Sequence, residues 1–113
     1  MSTGLAFSII NVVSARTIWI KGTTNDGSTL SIDTLDSGLT WFKYSITDKQ
    51  GRTRDRYGAT SWCYKGQISA NPNFGIQTPK KPGWIVYTDK GRVDIFTDST
   101  ASYNLLATVC GLQ

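Results

Sequence analysis

The sequence predicts a mainly β domain, an antiparallel sandwich or small barrel, preceded by one short amphipathic helix. Three observations carry this reading. Seven or so short alternating segments follow one another at a spacing of about 8–12 residues, each bounded by turn residues. All eight acidic residues are Asp, so Glu, a good helix former, is absent. Fifteen Thr, five Tyr, four Trp and four Phe favour strands, while eleven Gly and eleven Ser favour turns. At 113 residues the chain fits one domain, and 39% hydrophobic content is too high for disorder.

The first element is the predicted helix within residues 1–16. Leu5, Ile9, Val12 and Val13 fall on one helical face, and Thr3 can cap it. Leu5, Phe7 and Ile9 also alternate as a strand would. A lone amphipathic helix must bury its stripe, either on its own sheet or on a second copy. Strands then follow through residues 17–113. Thr17–Lys21 puts Ile18 and Ile20 on one face, and an Asp-Gly turn follows at 26–27. Leu30–Leu35 groups Leu30 and Ile32. Thr40–Thr47 alternates strongly, with Phe42, Tyr44 and Ile46 opposite Trp41, Lys43 and Ser45. Asp48–Gly51 is a hairpin loop, and Arg52–Tyr57 is the return strand. Thr60–Tyr64 and Gln67–Ser69 are short strands. Residues 71–82 hold all three prolines and read as loop. Trp84–Thr88 and Arg92–Thr97 form a hairpin over Asp89-Lys90-Gly91. Asp98–Ser102 turns the chain, and Tyr103–Val109 is the last predicted strand. There is no internal repeat and no domain linker.

Composition also excludes functions. With no histidine there is no Ser-His-Asp or Cys-His engine and no standard His/Cys zinc site. No phosphate-binding or dinucleotide glycine fingerprint is present. No cofactor or metal is expected, and an enzyme is not expected. Cys63 and Cys110 are 47 residues apart. They are either two buried thiols or one disulfide between strands. No apolar run reaches the roughly 18 residues of a membrane helix. Residues 5–15 resemble a secretory leader but lack a basic start. The expectation is therefore no membrane insertion, with export by a route lacking a recognisable signal, or a cytoplasmic protein until released.

Two sets of residues are candidates for binding. Alternation puts Trp19 and Trp41 opposite the apolar positions, hence on an exposed face. There they offer a platform for a ligand or a second copy. Arg52, Arg54 and Arg56 also alternate, and with a net charge of +4 they offer a basic strand for nucleic acid or another polyanion. Asp55 breaks that string. Most Asp residues lie in turns, where Asp is favoured for local reasons.

The order LAFSIINVV, TIWI, NDGS, SIDTL, WFKYSI, DKQG and GWIVYTDKGRVDIFTDSTASYNLLATV resembles the fungal immunomodulatory protein family over Leu5 to Val109. The resemblance implies an immunoglobulin or fibronectin-type-III-like β-sandwich preceded by a helix. It implies a homodimer in which Leu5, Phe7, Ile9, Val12 and Val13 of the 1–16 helix pair with a second copy. It also implies lectin-like binding of cell-surface glycans and modulation of immune cells, with Ser28 and Asp33 at polar positions of the sugar site. Where the family carries a tryptophan in the loop after the first strand, this chain has Thr24. With Trp19 and Trp41 added, the expected glycan-binding set is Trp19, Ser28, Asp33 and Trp41. The leading expectation is a non-enzymatic, homodimeric, extracellular glycan-binding protein. The alternative is a small β-barrel that holds nucleic acid or another polyanion through Arg52, Arg54 and Arg56.

Overall fold

The computed structural model describes residues 17–34, 41–70 and 79–112. Among the described residues eight strands precede one helix: β1 (Thr17–Trp19), β2 (Thr29–Asp33), β3 (Trp41–Thr47), β4 (Thr53–Ala59), β5 (Cys63–Tyr64), β6 (Gln67–Ile68), β7 (Gly83–Thr88), β8 (Gly91–Phe96) and α1 (Thr100–Gly111). Six strands form one antiparallel sheet in the order β1-β2-β3-β4-β7-β8. The second sheet is the β5-β6 hairpin, inserted between the neighbours β4 and β7. It turns through Lys65 and Gly66, both at positive φ.

The expected mainly β character is present, with two sheets. The expected layout, a sandwich preceded by a helix, is corrected. The helix among the described residues follows the strands, and Tyr103–Val109, predicted as the last strand, lies inside it. The predicted helix at 1–16, with Leu5, Phe7, Ile9, Val12 and Val13, lies outside the described residues.

The physical reason for the correction is local. Ser99 takes extended backbone angles and its side chain accepts from the Ser102 amide, while the Ser102 side chain accepts from the Ser99 amide. That reciprocal cap fixes a helix start. Ala101, Leu105, Leu106, Val109 and Cys110 are all buried. Their spacing of four and five residues is one helical face. Tyr103, Thr108 and Val109 have strand propensity, but burial of that stripe outweighs it.

Sheet register explains which side the helix covers. Ile18 faces Ile32, Ile32 faces Tyr44, and Leu30 faces Ile46. Phe42 faces Gly58, Gly58 faces Val86, and Trp84 faces Ile95. Partners directly opposite share a face. This inner face holds the core, which α1 closes with Leu105, Leu106 and Val109. Trp84 packs edge-on against Phe42 and Tyr44, at 5.8 and 5.5 Å between ring centroids. Gly58 makes that possible. A Cβ there would stand 2.7 Å from Trp84 and 2.8 Å from Phe42. Full burial of each such side chain contributes about 1.5–3 kcal/mol.

Cys63 and Cys110 form a disulfide, which settles the alternative left open by the sequence. It fastens β5 to the last turn of α1. The bridge joins a strand to a helix rather than two strands. Trp62 is buried beside it and donates its indole N–H to the Pro79 carbonyl at 2.8 Å.

Candidate functional site

The outer face of the sheet carries the alternate residues. Trp19 on β1, Trp41 on β3, Tyr57 on β4 and Tyr87 on β7 all lie there and are exposed. Trp19 is 67% exposed and Trp41 45%. Exposed rings of this kind can serve as contacts for a partner. Trp41 and Tyr57 form a pair, with centroids 5.9 Å apart and rings tilted by 44°.

Polar groups border this pair. Lys43 lies directly opposite Asp33 on one side and Tyr57 on the other. Its ammonium stands 3.9 Å from the Asp55 carboxylate. Ser45 donates its hydroxyl hydrogen to Asp55 at 2.6 Å. The patch therefore offers two rings, one ammonium, one hydroxyl and two carboxylates. Such groups stack on an apolar ligand face and hydrogen-bond hydroxyls at its edge. Ser31 and Ile85, on the same face, are buried.

The structure separates the four expected glycan-binding residues. Trp41 and Asp33 stand near the Lys43 row. Trp19 pairs with Ser31, and Ser31 with Ser45. From strand geometry this puts Trp19 roughly 16 Å from Trp41. One sugar ring cannot touch both. Ser28 is buried, and its amide donates to Thr24 Oγ1 and Asp26 Oδ1, both at 3.1 Å. It belongs to the β1–β2 loop. Tyr57 is the residue the set missed. Its position between Arg56 and Gly58, on the same parity as Asp55, was the available signal.

The three arginines do not form one stripe. Arg52 lies in the turn before β4 and its guanidinium pairs with Asp48 at 3.3 Å. Arg54 and Arg56 lie on the inner face, opposite Ile46 and Tyr44. Among the described residues neither has a hydrogen bond or an ion pair to its side chain. Both line a cleft of about 300 Å³ that reaches the first turn of α1 at Ser99 and Ser102. Its floor is Leu30, Tyr44, Ile46 and Trp84, and its far wall is the β1–β2 loop with Asp98.

That wall is held in place by backbone contacts. The Thr23 carbonyl accepts from the Ala101 amide at 3.3 Å, and Asn104 donates its side-chain amide to the Lys21 carbonyl at 3.0 Å. Asp26 accepts from the Thr24 hydroxyl and the Ser28 amide. Hydrogen bonds from Thr24 first and Ser28 second pull its carboxyl from an ordinary 3.8 down to about 2. Its charge therefore stabilises the loop.

No family model, curated protein or solved structure matches the chain. Nothing in the comparisons ties it to the fungal immunomodulatory family. The fold is mainly β with two sheets, of the broad kind to which β-sandwiches belong. Among the described residues no helix is long and apolar enough to cross a membrane.

Proposed function

We propose that this is a non-enzymatic binding domain whose outer sheet face holds a neutral glycan. One observation carries the reading: Trp41, 45% exposed, forms a tilted aromatic pair with Tyr57 beside Lys43, Ser45 and Asp55. An aromatic ring presents its face to the apolar side of a pyranose, and the neighbouring charges and hydroxyls take the sugar's hydroxyls. Trp19, on the same face but well separated, suits an extended oligosaccharide better than a monosaccharide. The Cys63–Cys110 bridge supports an oxidising, extracellular setting.

A glycan array probed with the intact protein tests this. Neutral oligosaccharides are expected to bind, and Trp41→Ala to weaken the best of them at least tenfold. Arg54→Ala is expected to leave them unchanged. An empty array, or binding indifferent to Trp41→Ala, overturns the reading. So does a sedimentation result showing a homodimer that Trp41→Ala splits, because the face is then occupied by a second copy.

A further inference from the structure

The inner cleft has features that glycan binding on the outer face does not use. Tyr44 is 2% exposed. Its phenol oxygen accepts from the Trp84 indole N–H at 3.1 Å. Its own hydrogen has no acceptor among the described residues. That hydrogen is therefore available to an acceptor on a ligand in the cleft. Tyr44 lines the cleft, and directly opposite it on β4 is Arg56. Two residues further along the same face is Arg54. Neither guanidinium is paired among the described residues. Tyr44, Arg54 and Arg56 thus line one cleft together with Leu30, Ile46 and Trp84.

Asp26 and Asp98 line the same cleft, from the β1–β2 loop and from the segment between β8 and α1. An oxyanion is attracted by the arginines and repelled by these carboxylates. The volume of about 300 Å³ is at the small end for ligand sites.

We infer that this cleft is a second binding site, for a small amphipathic carboxylate or sulfonate. The oxyanion accepts from Tyr44 and takes the Arg54 and Arg56 guanidiniums, and the apolar body lies on Leu30, Ile46 and Trp84. Charge-assisted hydrogen bonds of this kind are the strong ones, and Arg binds planar oxyanions through two parallel bonds.

Calorimetric titration of the intact, oxidised protein with 2-naphthoate and with the neutral isostere 2-naphthamide tests this. Naphthoate is expected to bind at least tenfold more tightly. Arg54→Gln and Arg56→Gln are each expected to weaken naphthoate about tenfold and to leave naphthamide unchanged. Tyr44→Phe should act the same way. Because it also strips the Trp84 indole of its acceptor, its folding is checked by circular dichroism. The arginine variants stand if it fails to fold. On binding, the Trp84 indole N–H resonance should shift. Equal affinity for the two probes, no saturable naphthoate binding at millimolar concentration, or indifference to Arg56→Gln each overturns the proposal. Trp41→Ala is expected to leave naphthoate binding intact, so failure of the glycan reading and failure of this one are distinguishable.

Discussion

On the inner side of β3, Phe42, Tyr44 and Ile46 are buried in one cluster with Trp84 and with Leu105 and Leu106 of α1. On the other side of the same strand, Trp41 is exposed and Lys43 and Ser45 are half-buried. Both faces carry large aromatics. The inner rings are locked by neighbours on three elements, whereas Trp41 has one ring partner, Tyr57. Aromatic content therefore says little about stability in this sheet. The number of elements that close over a ring decides whether it supports the fold or is free for a ligand.

Substitutions on the two faces should differ most in their cost to stability. Leu105→Ala, beneath the helix, is expected to lose about 2–5 kcal/mol in chemical denaturation, from lost burial and the cavity left behind. Losing less than 1 kcal/mol there would mean that the helix does not close the core. Cys110→Ser comes next. It opens a loop of 47 residues in sequence separation. About 4 kcal/mol is the chain-entropy expectation, and the melting temperature in oxidising and reducing buffer reads it. Gly58→Ala should cost about 1–3 kcal/mol by overpacking Phe42 and Trp84. An unchanged melting temperature would show that the two rings can separate. Trp41→Ala on the outer face should cost only about 0.5–1 kcal/mol, the worth of its ring contact with Tyr57.

The smallest effect concerns acid. Asp26 has a folded pKa near 2 against an ordinary 3.8, so the unfolded chain binds its proton more readily. The stabilisation is fully present above about pH 4 and is lost as pH falls toward 2. Carbon-detected titration of the Asp26 carboxyl should give a midpoint near 2. A midpoint near 4 would show that the Thr24 and Ser28 hydrogen bonds do not hold in solution.

Much of the sheet was legible because strand alternation is a short-range signal. Phe42, Tyr44 and Ile46 opposite Trp41 and Lys43 predicted both faces correctly, and turn residues predicted the β3–β4 and β7–β8 hairpins. The helix was not read, although Ser99, Ser102 and the 101–105–109 spacing were all visible. Leu105, Ala107 and Val109 alternate as well, and only the sheet waiting to be covered decides between the periods. The candidate sites divide in the same way. Exposure of Trp19 and Trp41 follows from local parity. Pairing of Trp41 with Tyr57 depends on cross-strand register, and the cleft beside Arg54 and Arg56 depends on where the helix starts.

The position of α1 after all eight strands also has a consequence for how the chain is made. The strands of the meander emerge during synthesis before the element that covers them. Leu105, Leu106 and Val109 join the core of Phe42, Tyr44 and Trp84 only once residues 100–111 are made, and the bridge to Cys63 can close only after that. Domains usually fold as units once their residues are available. Closure of the core by Leu105, Leu106 and Val109, and of the bridge at Cys110, therefore waits on the last described element.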